Sequence, residues 1–351
     1  SSCVAAGCQG TTDYMPSWHL ESADLARLTT ESIIRLYARE DPELERQVTG
    51  GRDARIVDAA QRELTSRLGR TGPATLDAAQ RQLLRDAIRT NVESRPRTYD
   101  IWAFSVVHAP EVVLDVVGRS GDASSWCPPE GWKALYAGYP KQTLTALTEA
   151  LQHSTDVEMA SILENVGKAG ITQAGDILYG YTRHGQWTVR AGAMLGLDDL
   201  KDPRAMAALE RNAKDLSKGP DLLSSLFDWL GASSHRVYQR ELIRAVERNQ
   251  VHAAEGVLES MVLDAWAGKA DDTRAYAGEA LAALNRPEAL ALTRKLLGDW
   301  SSTERSVGAA IAGYGRLTEL RSDLQRMAEA DSSQEVRQAA REALDRMSPS
   351  R

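Results

Sequence analysis

Phenylalanine, cysteine and lysine are scarce in this chain. Two Phe stand beside eight Trp and ten Tyr, three Cys are spread over 351 residues, and eight Lys accompany thirty-four Arg. No apolar run approaches the roughly 20 residues a membrane-spanning helix needs, and no stretch alternates apolar and polar residues for long enough to propose a sheet. Catalytic signatures are missing as well: there is no GxSxG, no HExxH and no paired-cysteine metal spacing. The six His, at 19, 108, 153, 184, 235 and 252, include no pair at helical spacing, so they read as surface or capping residues. No catalytic residue, metal or cofactor is expected on these grounds.

What is present excludes other classes. A hydrophobic content of 42% is too high for a disordered chain. The formal charge of -7 argues against nucleic acid, whose phosphates call for a basic face. The most basic stretch, Arg52 to Arg97, interleaves its arginines with Asp53, Asp58, Glu63, Asp77 and Asp86 at helical intervals, which reads as a solvated helix surface.

Cys3 and Cys8 crowd the first ten residues, and Cys127 lies far away. Ala5-Ala6-Gly7-Cys8 resembles the end of a bacterial lipoprotein signal, with Gln9 to Asp13 as a polar tether. Cys127 is alternatively a disulfide partner for Cys3 or Cys8. Either reading favours an extracytoplasmic chain, whose contact with a membrane would run only through an N-terminal lipid; a cytoplasmic location is the alternative. Residues 1-20 are accordingly expected to be an extension or tether.

From there the signals are helical. Ser32 to Glu40, Ala54 to Leu68, Leu76 to Val92, Tyr99 to Val107 and Glu111 to Gly118 are candidate helices, and a regular series starts near Gln142. That series repeats. Val336-Arg337 leads to Ala340, Ala343 and Leu344; Glu304-Arg305 to Gly308, Ile311 and Ala312; Thr273-Arg274 to Ala277, Ala280 and Leu281; Val189-Arg190 to Ala193, Gly196 and Leu197. Weaker copies start at Val157-Glu158 and His235-Arg236. Residues three, six and seven after the Arg share one helix face and are small or branched, which lets a neighbouring helix approach closely. Ser or Asp residues just upstream, such as Ser154-Thr155-Asp156, Ser233-Ser234, Asp271-Asp272, Ser301-Ser302 and Ser332-Ser333, suit N-caps.

This capped Val-Arg-x-x-Ala-x-x-Ala-Leu frame, recurring near every 32 residues, resembles HEAT-like repeats, in particular the short type of the phycobilisome lyases. The resemblance covers residues 141-351 and implies an all-α, right-handed α-solenoid of stacked antiparallel helix hairpins, about eight or nine of them if the whole chain is built so. Residues 21-140 depart from the frame and read as an irregular helical region, either divergent repeats or a separate helical cap. Members of such families serve as scaffolds, adaptor subunits and chromophore-handling lyases.

Aromatic residues supply the candidate binding positions. Trp187, Trp229, Trp266 and Trp300 fall once per repeat, 42, 37 and 34 residues apart, and are expected to form a ladder along one edge, either packing the joints or anchoring a partner. A second cluster, Trp126-Cys127-Pro128-Pro129 with Trp132 and Tyr136, follows Gly121 to Ser125, which reads as a loop at the junction of the irregular and regular parts. A GxxxxG spacing from Gly308 lacks the Lys of a phosphate-binding loop and reads as helix packing. The leading expectation is a non-enzymatic protein-binding scaffold or adaptor, plausibly a subunit of a larger assembly with a protein partner. A lyase or chromophore chaperone resembling the phycobilisome lyases is the alternative, and a HEAT-like nucleic-acid repair protein a more distant one.

Overall fold

A computed structural model describes residues 25–49, 56–71, 76–94, 99–217, 234–263 and 273–348. Among the described residues the chain is all-α, with twenty helices and no strand. Two compact units divide between Val116 and Val117.

The first unit contains α1 (Thr30–Ala38), α2 (Pro42–Thr49), α3 (Ile56–Thr71), α4 (Ala78–Ser94), α5 (Tyr99–His108) and most of α6 (Pro110–Arg119). Local sequence sets the starts: Thr29 accepts from the Ser32 amide, and Asp77 and Gln80 cap each other reciprocally ahead of α4. Ile33, Ile34 and Tyr37 of α1 are fully buried with Leu64 of α3 and Ile88 of α4. Arg67 ties the unit together by donating to the carbonyls of Leu28 and Ala26 while its Nε holds Glu63 at 2.8 Å.

The second unit opens with α7 (Gly121–Trp126), α8 (Pro129–Gly138) and α9 (Pro140–Gln152). The expected loop at 121–125 is therefore a helix. Ser120 caps it by accepting from the Ala123 amide, and Ser124 donates to the Val117 and Ser120 carbonyls, so local hydrogen bonding overrides a loop-like composition.

The repeat frames occupy α10 (Asp156–Lys168), α12 (Trp187–Asp199), α14 (Ser234–Arg248), α16 (Thr273–Leu284), α18 (Ser302–Tyr314) and α20 (Gln334–Met347). Each packs on the next in chain order. Between them lie α11 (Gly175–Tyr181), α13 (Arg204–Arg211), α15 (Glu255–Leu263), α17 (Arg286–Leu297) and α19 (Arg321–Ala330), which pack on the frame helices beside them. Most residues three, six and seven after each frame Arg are buried, as the close-approach reading requires.

Two weak copies need a new register. Arg190 and Arg305 each stand eleven residues before a left-handed residue that ends the helix, Lys201 at φ 57° and Arg316 at φ 45°. Counting back from Gln250 at φ 52° and Gly170 at φ 74° puts Gln239 and Met159 in the Arg place. Gln239 is buried and donates to the Leu216 carbonyl, an uncharged version of the arginine's work. Glu158 instead closes a capping box on the Thr155 amide at 2.7 Å.

Each frame arginine has a defined task. Through Nη1, Arg190 donates to the carbonyls of His184 and Gly185, Arg305 to those of Asp299 and Trp300, and Arg337 to those of Asp331 and Ser332. These acceptors lie six and five residues back, in the turn leading into the same helix. The other nitrogens of Arg190 and Arg305 reach forward, to Asp215 at 2.6 Å and Asp331 at 2.8 Å, while Arg274 gives Nε to the Val262 carbonyl behind it and both Nη groups to Glu304, at 2.6 Å for Nη2. Asp331 serves twice, its carboxylate taken by Arg305 and its carbonyl by Arg337.

Glycine permits the closest approach. A Cβ on Gly192 would sit 2.3 Å from the Ala160 carbonyl oxygen, and one on Gly167 2.3 Å from Gly196 Cα, so α10 and α12 touch backbone to backbone. Gly308 and Gly313, the pair that mimics a phosphate-loop spacing, pack against Leu297 and Ala343 inside the helical array.

Two outcomes follow for stability, both read from urea unfolding. Arg190→Ala removes the guanidinium from the buried Asp215 carboxylate and frees two turn carbonyls, costing about 3 kcal/mol, whereas Arg286→Ala, which breaks the exposed pair with Glu319, costs less than about 1 kcal/mol. Gly192→Ala forces two helices apart at a cost of about 1–3 kcal/mol, while Gly180→Ala, with open space around its Cβ, stabilises α11 by about 0.5–1 kcal/mol.

Candidate binding face

The aromatic residues singled out in the sequence separate by environment. Trp126 ends α7, is 43% exposed, and donates from its indole nitrogen to Asp122 at 3.2 Å. Trp132 is fully buried in α8, its indole N–H without a hydrogen-bond partner among the described residues, and Tyr136 one turn on is half-buried. Trp187 is the half-buried first residue of α12, whereas the Trp300 side chain is 93% exposed. Those two tryptophans hold different registers, three residues before Arg190 and five before Arg305. Gly185 and Ser332 occupy the Trp300 place in other repeats, and Ser302 and Gln334 the Trp187 place. Trp229 and Trp266 lie outside the described residues.

Cys127 is a free thiol with no exposed surface, and burial pushes its pKa well up. Its backbone carbonyl accepts from Asn165, which locks the α7–α8 corner onto α10. Cys3, Cys8 and the rest of the expected tether lie outside the described residues.

The structure assembles a different aromatic feature on the frame helices. Positions two, five and nine after the frame residue share a helix face distinct from the buried one. In α16 they include Tyr276 and Glu279, in α14 Arg244, in α18 Tyr314, and in α20 Arg346. The guanidinium groups of Arg240 and Arg244 sit 5.4 and 5.3 Å from the Tyr276 ring centre. That ring meets Tyr314 at 5.6 Å, and Arg346 covers Tyr314 at 4.3 Å. An Arg–Tyr–Tyr–Arg run thus crosses four successive frame helices, its cations attracted to the aromatic rings.

Glu279 stands in the middle of this run. Its half-buried position raises its pKa, and Glu247 raises it further, against the opposing pull of Arg244, Arg316 and Arg346. Asp199, the position-nine residue of α12, is raised the same way, by burial first, with Lys168, Asp198, Glu164 and Arg248 around it. Arg248 and Asn249 meanwhile hold Asp198 at 2.5 and 2.7 Å. The face therefore combines flat aromatic surface, planar guanidiniums and one half-buried carboxylate, that of Glu279. Among the described residues no cluster of His, Cys, Asp and Glu is arranged to hold a metal.

The sequence carried a signal for this run in the nine-residue offset shared by Tyr314 from Arg305 and Arg346 from Arg337. In the first unit, a cleft of about 520 Å³ is lined by Asp58, Arg62, Asp100, Phe104, Val107 and His108, among others. No family model, curated protein or solved structure matches the chain.

The raised pKa of Glu279 has a definite sign in stability. The folded protein holds this proton more tightly than the unfolded chain, so stability is lost as pH climbs from the ordinary glutamate value through the folded one. Glu279→Gln cannot ionise. It should unfold at a higher urea midpoint than the wild type at pH 7 and match it below about pH 4.

Proposed function

We propose that the chain is a HEAT-like α-solenoid scaffold that docks a protein partner on the face built by α14, α16, α18 and α20. The observation that carries this reading is the Arg–Tyr–Tyr–Arg run itself, on half-buried and exposed positions of α14, α16, α18 and α20. Tyr and Arg dominate interface energetics because each brings a large contact area and a directional polar group at modest entropic cost. Frame helices that pack in chain order, with other helices interposed, support the solenoid architecture. Partial burial of Glu279 supports a surface that tolerates further desolvation when a partner settles on it.

The partner suited to this face presents carboxylates to Arg240, Arg244 and Arg346 and apolar groups to the two rings. Affinity isolation of the wild-type chain and of Arg244→Glu/Arg346→Glu from the native extract tests the reading. Both exchanged residues are exposed. The expected result is one stoichiometric protein partner retained by the wild type and weakened about thirtyfold or more in the variant. A folded wild type that stays a monomer and retains no protein would overturn the scaffold reading, and a visible absorption band on the purified chain would replace it with the chromophore-handling alternative.

A further inference from the structure

The helices between the frames carry a second charged cluster, away from the Tyr276–Tyr314 run. Tyr179 on α11 has three guanidinium groups around its ring: Arg183 at 5.2 Å, Arg204 at 5.0 Å and Arg211 at 5.7 Å from the centroid. Arg211, at the end of α13, donates from Nη2 to the phenol oxygen at 3.1 Å. Arg204, at the start of that helix, is neutralised in place. Asp202 takes its Nε at 2.9 Å and its Nη2 at 2.7 Å, and Asp176 takes its Nη1 at 2.7 Å.

Both of these carboxylates go to a single cation. Arg183 and Arg211 are exposed and make no ion pair with any described residue. In a chain of net charge -7, two uncompensated guanidiniums beside a third are a local reversal of sign. Attraction to the ring explains how each is held, since a cation sits well against an aromatic ring. It does not explain why three cations gather where like charges repel.

We propose that Tyr179, Arg183 and Arg211 form a binding site for a phosphate group. The groups they turn outward are donors. Each guanidinium has N–H groups left over in its rigid fork, and the phenol, whose oxygen already accepts from Arg211, keeps its own O–H to give. Its pKa is lowered, first by that hydrogen bond, which makes it a stronger donor. A phosphate dianion is the complementary partner because its oxygens only accept and point in several directions, so two forks and a hydroxyl engage it together. A carboxylate would occupy one fork and leave the other unused. Asp202 and Asp176 hold Arg204 and take up its charge.

The phosphate has two chemical sources, the free ion or a phosphorylated side chain on a docked protein; the second rests on the scaffold reading and the first does not. Calorimetric titration of the full chain with inorganic phosphate, with a phosphoserine peptide and with its unphosphorylated twin, at constant ionic strength set by chloride, tests the site. Saturable binding of a phosphate probe is expected, and Arg183→Ala/Arg211→Ala should weaken it at least about tenfold. Arg183→Lys/Arg211→Lys should recover only part of the loss, because the charge returns without the fork. Tyr179→Phe, which keeps the ring and removes the donor, should weaken binding about threefold and serves where the double alanine variant does not fold. Arg286→Ala should bind as the wild type does.

Tighter binding of the phosphopeptide than of inorganic phosphate assigns the group to a partner protein, and equal binding assigns it to the free ion. Binding of neither probe by the folded wild type overturns the proposal, as does unchanged affinity in the folded double alanine variant or, where that variant does not fold, in Tyr179→Phe. Capture through α14 to α20 is read with different variants, so the failure of one proposal leaves the other standing.

Discussion

Arg190 and Arg305 each bond backward to the turn that precedes their own helix and forward to an aspartate about one repeat later, and the packing of the frame helices depends on that double attachment. The backward bonds satisfy carbonyls that would otherwise lie partly buried without donors. The forward bonds place a carboxylate at a fixed distance from the previous helix, so they set where the next hairpin begins. Lysine has one compact charged group and cannot do both, which gives the arginine at these frame positions a physical basis. Where the arginine is missing the task is divided differently. Gln239 supplies a single neutral bond to Leu216, and around Met159 the joint is closed by Asn165 reaching the Ser125 and Cys127 carbonyls.

In α14, α16, α18 and α20 the arginine or its substitute and the residues three, six and seven positions on carry most of the packing, whereas in α12 the face two and five positions on is also closed, by Gly192 and Leu195. Tyr276, Glu279, Tyr314 and Arg346 stand on the corresponding face of α16, α18 and α20. Their mutual contacts run between neighbouring helices, so the surface they make comes from stacking and exists in no single repeat. Tyr179 shows the same logic on the other set of helices, its cluster drawing Arg183 from the end of one and Arg204 and Arg211 from the next.

Much of this was readable in advance wherever the signal was local. The frames at Arg190, Arg274, Arg305 and Arg337 pair an arginine with small residues on one helix face, a pattern that spacing alone reveals. The copies at Glu158 and Arg236 misled by one and three residues because neighbouring polar side chains imitated the arginine. Their true register is marked by Gly170 and Gln250 in left-handed conformation, which composition declares for glycine and not for glutamine. Gly121 to Ser125 has the composition of a loop and folds as a helix because Ser120 and Ser124 close its hydrogen bonds. Trp126 and Trp132 differ by six residues in sequence, one exposed and the other sealed, since burial follows from which helices pack around α8. The acids Asp215, Glu304 and Asp331 were invisible as partners for a simpler reason: they lie 25 to 30 residues from the arginines they hold, beyond any local pattern.

Asp331 takes a guanidinium on its carboxylate and gives its carbonyl to the next one, so consecutive clasps are joined through one residue. The Arg190–Asp215, Arg274–Glu304 and Arg305–Asp331 pairs each close a loop of between 25 and 30 residues, and every such loop contains the helix that lies between two frames or the turns beside it. A side-chain bond therefore fences each of these intervening helices at both of its ends, so that the helix is held in place by its neighbours' charges as well as by its own apolar face.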